Sequence, residues 1–291
     1  MELLSNYMKD DTYRHMLNDL TQKVFGFDFE NWVTKGYFEG DYIPYSLMED
    51  GKFVSNVSAN RMKFMQNGSE KNYIQIGTVM TDPDYRKQGL ASKLMNHVIE
   101  EYEAKCDGIY LFGNLDALGF YRKLGFGEVN EYRYFVKDEF LHSGNTKNAF
   151  KSIEDMGDDI KKKYLDLVRS GVQHSAFEQI NKYGLQLFYT GDFDNVFYSE
   201  DLDCFVVLEQ DDTVILQSVL SGKKIALRDV LERIDFDGKK CMLGFVPLDE
   251  DKDLCVSEKY DGADDYRLFY KGKELESIEQ DKLYFPDLSH A

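Results

Sequence analysis

The chain has 291 residues, of which 43% are hydrophobic and 30% charged, so it holds enough apolar material for two globular domains. Its formal net charge of −18 argues against nucleic acid as a partner, because such a field repels phosphate backbones, although it could attract a cationic substrate. No apolar run approaches the ~18 residues of a membrane helix. The polar start Met1–Arg14 lacks the basic and then apolar pattern of a secretory signal. We therefore predict a cytoplasmic protein with no membrane partner.

Cysteines and histidines give no metal-ligand pattern. The four cysteines are far apart and the five histidines are scattered, so we predict no metal site. Asp249, Asp251 and Asp253 alternate as at the start of a calcium loop, but Leu254 and Tyr260 stand where that loop needs glycine and glutamate. Aromatic residues make up 14% of the chain and predict a core filled by large rings.

Hydrophobic spacing predicts the elements of the first half. A helix is expected within the first 35 residues, and Asp50-Gly51 predicts a hairpin turn. The strands predicted around and after this turn are Tyr45–Met48, Phe53–Val57, Ser58–Phe64 and Asn72–Thr81. After them we predict a helix at Gln88–Lys105, a strand at Gly108–Gly113, a helix at Asp116–Leu124, and one strand or a tight pair at Val129–Val136. The predicted order over residues 40–137 is therefore β-β-β-β-α-β-α-β.

A polar stretch, His142–Lys147, predicts a linker between domains at residues 1–140 and 148–291. In the second half, helices are predicted at Asp159–Val168, Ala176–Tyr183 and Ala226–Ile234. Strands are predicted there at Leu185–Tyr189, Cys204–Glu209, Thr213–Leu220, Cys241–Val246 and Arg267–Tyr270. This coarse order repeats that of the first half, so two readings stay open: a degenerate copy of the first domain, or an unrelated α+β domain.

The segment Val79–Ser92 predicts an anion site. A strand ends at Asp82-Pro83, and a basic, glycine-containing turn leads directly into an amphipathic helix. The free N–H groups and the dipole of a helix start attract an anion, and Arg86 and Lys87 add positive charge beside them. The segment lacks both the phosphate-loop pattern and the dinucleotide pattern. The residues thus indicate a pyrophosphate site without naming its ligand.

Two motifs in this order resemble the GNAT (GCN5-related N-acetyltransferase) family. Arg86-Lys87-Gln88-Gly89-Leu90-Ala91 is similar to its fingerprint Arg/Gln-x-x-Gly-x-Gly/Ala. The segment from Asn114 to Phe126 resembles its Asn-x-x-Ala-x-x-Phe-Tyr-x-x-x-Gly-Phe motif. The resemblance spans roughly Leu20 to Val136. It implies the α/β (α+β) GNAT acyl-CoA N-acyltransferase fold with a splayed mixed sheet, here followed by a second, smaller α+β domain.

The resemblance also implies a function and its residues. GNAT enzymes transfer acetyl from acetyl-CoA, here the co-substrate, to a primary amine by direct attack in a ternary complex. The pantetheine arm and acetyl carbonyl are expected at the backbone of Val79, Met80 and Thr81, with Asn114 near that arm. The pyrophosphate is expected at Arg86, Lys87, Gln88, Gly89, Leu90, Ala91 and Ser92. Tyr121 resembles the family's general acid, and a phenol pKa of ~10 suits protonation of a thiolate.

The general base is unassigned, because the strand before the fingerprint offers Tyr73, Gln75 and Thr78 but no carboxylate. Glu70, Asp116, a water chain and the tail Phe285–Ala291 are candidates; some two-domain relatives use a chain-terminal carboxylate. The acceptor is a small-molecule amine, such as a polyamine or aminoglycoside, or a peptide amine. The alternatives are a non-catalytic acyl-CoA-binding regulatory protein and a transferase that uses longer acyl-CoAs. The sequence indicates no particular oligomeric state.

Overall fold

The computed structural model describes residues 1–142 and 149–291. The protein contains two mixed β-sheets with helices packed on them. The predicted linker His142–Lys147 lies outside the described residues, apart from His142. The strands are β1 (Glu2–Ser5), β2 (Tyr42–Glu49), β3 (Lys52–Gln66), β4 (Ser69–Thr81), β5 (Gly108–Asn114), β6 (Gly127–Val129), β7 (Glu131–Val136), β8 (Lys151–Ser152), β9 (Phe177–Gln179), β10 (Val196–Ser199), β11 (Cys204–Gln210), β12 (Val214–Ser221), β13 (Cys241–Leu243), β14 (Cys255–Tyr260) and β15 (Tyr266–Lys271).

The α-helices are α1 (Asp11–Phe25), α2 (Glu30–Thr34), α3 (Leu90–Tyr102), α4 (Leu118–Lys123), α5 (Asp158–Ser170), α6 (Tyr183–Thr190) and α7 (Leu227–Leu231). Within the described ranges, none of them combines the length and apolarity that a bilayer crossing requires.

The first sheet has the order β1-β2-β3-β4-β5-β15-β6. Every neighbouring pair is antiparallel except β4 and β5, which are parallel and joined through α3. Helix α3 covers one face of this sheet with the buried stripe predicted from its 3.6-residue spacing, and Leu94, Met95 and Val98 are at most 1% exposed. The predicted strands Phe53–Val57 and Ser58–Phe64 are a single strand, β3; that division was wrong because no residue between them breaks the pairing with β2.

The second sheet repeats this order of pairing. Its order is β8-β10-β11-β12-β13-β7-β14, and the pair β12 and β13 is again parallel, with α7 between its strands, while all other pairs are antiparallel. Both sheets therefore have four antiparallel strands, one parallel neighbour and two further antiparallel strands. This shared order supports the prediction of a degenerate copy over that of an unrelated domain.

Each half of the chain contributes a strand to the other half's sheet. β15 lies between β5 and β6 in the first sheet, and β7 lies between β13 and β14 in the second. The predicted segment Val129–Val136 is thus two strands, β6 and β7, in different sheets. The domain limits 1–140 and 148–291 remain a prediction. β7, from the first range, lies in the second sheet, and β15, from the second range, lies in the first sheet. One further strand, β9, pairs with the end of β3.

Two element types were interchanged in the prediction for residues 176–190. A helix was predicted at Ala176–Tyr183, where β9 lies, and a strand at Leu185–Tyr189, where α6 lies. Leu187 and Phe188 belong to an apolar run too short for periodicity to distinguish a buried helix from a buried strand. The tertiary environment decides: α6 packs against α5 and the aromatic residues of the first half, where Trp32 Nε1 donates a 2.7 Å hydrogen bond to the Gly184 carbonyl.

The C-terminal tail fills the place where β12 and β13 diverge. Their pairing ends at Leu216 and Leu243, and the Asp287 N–H then donates to the Gly244 carbonyl at 3.0 Å. A Cβ at Gly244 would lie 2.6 Å from the Asp287 carboxylate, so only glycine leaves room for the tail there. The C-terminal tail therefore occupies the gap between β12 and β13 in the second sheet.

A buried carboxyl group, Glu131, joins the exchanged strands to the tail. Its Oε1 accepts the Phe285 N–H at 2.9 Å, and its Oε2 accepts the Tyr266 hydroxyl at 3.2 Å. Glu131 is 1% exposed, and this burial raises its pKa to about 8. One side chain of β7 thus holds both β15 and the segment that continues to Ala291.

Glu131→Gln keeps the size and an accepting oxygen but cannot ionise. The pKa of Glu131 is raised in the folded state, so between about pH 4.5 and about pH 8 the unfolded chain has released this proton while the folded chain still holds it. The wild type therefore loses stability as the pH rises through this range. We expect the variant to gain about 3–4 kcal/mol in free energy of unfolding relative to wild type between pH 5 and pH 8. Urea unfolding measures this, with Glu258→Gln on exposed β14 as control. Equal pH dependence in both variants would contradict the assignment.

Candidate active site

The first sheet opens between its two central strands. β4 and β5 pair only from Tyr73 and Gly108 to Gln75 and Tyr110, although β4 continues to Thr81 and β5 to Asn114. Each strand keeps its partner on the other side, β3 for β4 and β15 for β5. A cleft with unpaired backbone groups on both walls is therefore held open inside an otherwise complete sheet. The resemblance implied this opening, and the strands end at the predicted residues, Thr81 and Asn114.

A β-bulge shapes the β4 wall. Asn56 faces Met80 and Ser58 faces Gly77, so Thr78 and Val79 stand opposite a single residue of β3. Thr78 has a φ of 40°, a left-handed value that a β-branched residue rarely adopts. Polar side chains hold it there: its Oγ1 hydrogen bonds to the Tyr42 and Ser58 hydroxyls at 2.9 Å each, and its carbonyl accepts the Asn56 amide at 3.0 Å. Bulges of this kind redirect a strand beside a binding site.

Beyond the bulge, Val79 and Thr81 are half-buried, whereas Met80 turns into the core at 3% exposed. The Ser55 hydroxyl donates to the Met80 carbonyl at 2.9 Å, which fixes the backbone that the resemblance assigns to the pantetheine arm. These three residues thus line the cleft mainly with main chain.

The predicted anion site lies at the mouth of this cleft. Lys87 and Gly89 both have left-handed backbone, with φ of 64° and 77°, and α3 begins at Leu90. The N–H groups of Leu90, Ala91 and Ser92 form the first turn of α3 and have no intrahelical acceptor. A Cβ at Gly89 would meet no atom within 4 Å, so the φ value, rather than crowding within the protein, requires glycine there. The open space above this turn accommodates a phosphate group.

The charges around the turn are separated by sign. Arg86, Lys87 and Gln88 are exposed, and in the described part of the chain no carboxylate forms an ion pair with Arg86 or Lys87. Asp82, just before the turn, is instead bonded to Lys23 at 2.7 Å, and this bond holds the pKa of its carboxyl below its usual value. The turn therefore presents uncompensated positive charge, which a pyrophosphate would neutralise.

On the β5 wall, Asn114 and Tyr121 occupy different environments. Asn114 is exposed at the end of β5, and its side chain makes no capping hydrogen bond with the turn that follows. Tyr121, on α4, is buried, and its ring lies so close to β5 that a Cβ at Gly113 would be 2.8 Å from it. Burial raises the pKa of Tyr121 to about 12, so its hydroxyl keeps its proton near neutral pH. The structure places this phenol beside the end of β5, and its role as general acid stays a prediction.

A cavity of about 400 Å³ lies on the other side of the bulge. Its inner end is formed by Tyr42, Asn60, Thr78 and the tail residues His290 and Ala291. The rest of its lining includes six aromatic side chains from α1, α2, the segment between them, and α6 of the second half: Phe25, Phe27, Phe29, Trp32, Phe188 and Tyr189. These aromatic rings were predicted to fill the core. Their concentration between residues 25 and 32 was the signal that could have indicated a pocket wall.

The tail reaches the cleft. Phe285 stacks on Tyr110 with ring centroids 4.1 Å apart, and His290 stacks on Phe112 at 3.8 Å. The backbone oxygen of Ala291 lies so close to β4 that a Cβ at Gly77 would be 2.5 Å from it. The Nε2 of His290 is buried without a hydrogen-bond partner, and burial lowers the pKa of the imidazole to about 4, so the ring is neutral near pH 7.

The other base candidates lie elsewhere. Glu70 is at the opposite end of β4, eight residues and therefore ~26 Å from Thr78. There its carboxylate forms an ion pair with Lys63 at 3.6 Å. Asp116 is exposed in the turn after Asn114. The tail therefore is the candidate that the structure brings to the bulge. In the described residues, no group of three His, Cys, Asp or Glu side chains is placed to hold a metal ion.

Comparison with known structures shows the same fold over nearly the whole chain. A conserved protein of unknown function from Enterococcus faecalis, described as a probable N-acyltransferase, is 16% identical with a TM-score of 0.55, covering 95% of this chain and 74% of that one. A GCN5-related N-acetyltransferase from Kribbella flavida is 15% identical with a TM-score of 0.55, covering 93% and 72%. Eis1 from Mycobacterium abscessus is 11% identical, also with a TM-score of 0.55, covering 95% and 75%.

Among curated proteins, none has a significant sequence match to this chain. The model of the acetyltransferase (GNAT) family matches residues 6–126, which contain β4, the anion-binding turn, α3, β5 and Tyr121. Both motifs from the sequence thus fall inside the matched range, at the cleft where the structure places them. Residues 6–126 therefore form an acyltransferase domain of the GNAT family.

Proposed function

We propose that this protein is an N-acetyltransferase that transfers acetyl from acetyl-CoA to the primary amine of a small molecule or peptide. The observation that carries the proposal is the cleft between β4 and β5, with an uncompensated cationic helix start at one end and a separate pocket across the Thr78 bulge. A thioester in the cleft and an amine in the pocket would meet at the bulge. Such a ternary complex favours direct transfer through proximity.

The positive charge and the unpaired backbone groups of the cleft support acetyl-CoA as its ligand. The N–H groups at the start of α3, together with Arg86 and Lys87, would hold the pyrophosphate in the open space above Gly89. The backbone of Val79–Thr81 would pair with the pantetheine amides, much as a neighbouring strand would, and Asn114 would contact the arm from the β5 side. The bound co-substrate supplies an activated acyl group as a thioester.

Transfer needs one proton donor and one proton acceptor. The amine nitrogen attacks the acetyl carbonyl, the carbon–sulfur bond breaks, and Tyr121 donates its proton to the departing thiolate. With its pKa raised to about 12, Tyr121 remains protonated until the thiolate forms beside it. The proton that the amine loses passes to the unpaired Nε2 of His290, and the backbone oxygen of Ala291 orients the amine by accepting a hydrogen bond from it.

The alternative, a non-catalytic acyl-CoA-binding regulatory protein, has one observation in its favour. The β4 residues that reach the cleft, Gln75 and Thr78, carry no carboxylate, so a conventional base on this strand is missing. This alternative and the proposal agree on acetyl-CoA binding and differ on turnover. Variants of the cofactor turn, the acid and the tail therefore test them separately.

Gly89→Glu places an anion where the pyrophosphate should lie. We expect the Kd for acetyl-CoA, measured by calorimetric titration, to rise by about 100-fold or more. The new carboxylate would lie where the pyrophosphate should bind, so the two negative groups would repel each other. Gly68→Glu is the matched control: Gly68 has a φ of 73° and open space around it, like Gly89, but lies in the turn between β3 and β4. Equal affinities of the two folded variants would contradict the cofactor site.

Tyr121→Phe removes the proposed acid without changing the ring that packs on Gly113. We expect kcat to fall by about 10²–10⁴-fold, while the Kd for acetyl-CoA stays within twofold of the wild type. Tyr134→Phe, which removes a second hydroxyl with a pKa raised to about 12, but in the other sheet, serves as the control. Wild-type kcat in Tyr121→Phe would exclude the assigned role.

Deleting His290 and Ala291 tests the proton acceptor. We expect kcat to fall by about 100-fold or more with little change in acetyl-CoA affinity, because only the acceptor side of the cleft is altered. His290→Ala separates the two groups: a loss in both variants assigns proton acceptance to the imidazole, and a loss in the deletion alone shows that the contact of Ala291 orients the amine. Unchanged turnover in both variants would remove the tail from the mechanism.

A further inference from the structure

The aromatic pocket, defined as the cavity lined by Phe25, Phe27, Phe29, Trp32, Tyr42, Phe188 and Tyr189, is built as one packed wall. Ring centroids are 4.9 Å apart for Phe29 and Tyr42, 5.6 Å for Trp32 and Phe188, and 5.9 Å for Phe27 and Phe188. Six of these rings come from elements outside the sheet, so this wall is added to the fold's central cleft by α1, α2 and α6. Its chemistry is therefore particular to this chain's helices.

Two large rings are exposed at the rim of the aromatic pocket, beside the exposed charged residues Glu39 and Arg61. Phe25 and Tyr189 stand at its edge and are 44% and 42% exposed. Exposed large rings grouped at the mouth of a cavity mark a surface that a ligand covers. The gain from covering them depends on the apolar area of the ligand, so an occupant with an apolar body uses this rim best.

The charged groups of the pocket are few and already engaged. Glu39 forms an ion pair with Arg169, whose guanidinium stacks over Tyr183 at 3.3 Å. Burial raises the pKa of Asp41, and its carboxyl group accepts the Asn181 amide at 2.9 Å and lies near Arg61. Despite the net charge of −18, the pocket thus offers carboxylate for one ammonium group at most. Aromatic faces can attract one cation, but each further ammonium would lose water without gaining a counter-ion.

Building on the proposed function, we propose that the acceptor is a monoamine carried on an aromatic or similarly flat apolar body, rather than a polyamine or an aminoglycoside. The ring system lies against the wall that Phe29, Trp32 and Phe188 form. The amine points inward to Thr78 and the tail, where the acetyl group would be presented. The rim residues Phe25 and Tyr189 close over the outer end of the body.

Trp32, the single tryptophan of the chain, provides a direct readout because it lines the pocket. We would titrate 2-phenylethylamine and spermidine into the full-length protein saturated with CoA and follow Trp32 emission. The expected result is a saturable change with 2-phenylethylamine and none with spermidine. In Phe25→Ala the Kd for 2-phenylethylamine should rise about tenfold, since the variant removes one ring of the wall.

Val256→Ala is the matched control, since Val256 is 47% exposed on β14 of the second sheet, away from the pocket. Equal Kd values in the two variants, or binding of spermidine at least as tight as that of 2-phenylethylamine, would overturn the inference. Acetyl-CoA calorimetry and amine turnover on the same protein separate the two levels. If acetyl-CoA binds and spermidine is acetylated while 2-phenylethylamine neither binds nor reacts, the inference fails and the proposed function stands. If acetyl-CoA does not bind, the proposed function fails and the pocket loses its role as acceptor site.

Discussion

Strands β7 and β15 each complete a sheet that is built mainly by the other half of the chain, and the cleft depends on this exchange. β15 pairs with the outer edge of β5, so β5 can leave β4 after Tyr110 without losing its other partner. β7 carries Glu131, whose buried carboxyl group fixes the tail at Phe285. An opening inside a sheet leaves backbone groups unpaired on both walls, and it persists only when the remaining edges are satisfied. The exchanged strands satisfy them.

The same order of pairing serves different purposes in the two sheets. In the first sheet, β4 is followed by a glycine-containing turn and by α3, a helix of 13 residues, and the gap between β4 and β5 is open. In the second, α7 has five residues, and the tail fills the divergence at Gly244 and Asp287. One half thus keeps the open cleft proposed for the cofactor, while the other supplies α6 and the tail to the pocket proposed for the acceptor. This division explains why a second half without a cofactor motif is still needed for the proposed reaction.

The parts of the site that could be predicted are contiguous in sequence. Residues 79–92 specify a strand, a turn and a helix start through local signals such as Pro83 and the left-handed Gly89, so these elements of the cleft could be predicted from the chain alone. The acceptor side was not, because Trp32, Phe188 and Ala291 come together only through contacts across more than 100 residues. Likewise, Glu131–Val136 and Tyr266–Lys271 are both short strands rich in aromatic residues, and nothing local indicates which sheet each joins. The interchange at residues 176–190 has the same origin, since the packing of α6 against the first half decides its conformation.

The central claim is that the first divergence binds acetyl-CoA and the second does not. Amide hydrogen exchange, followed with and without acetyl-CoA, tests it in one measurement. We predict slower exchange at Val79–Thr81 and at Lys87–Ser92, the two segments assigned to the pantetheine arm and the pyrophosphate, with unchanged exchange at Val214–Ser221 and Cys241–Leu243. Protection of the second pair of segments alone, or no protection at Lys87–Ser92 under saturating acetyl-CoA, would contradict the account.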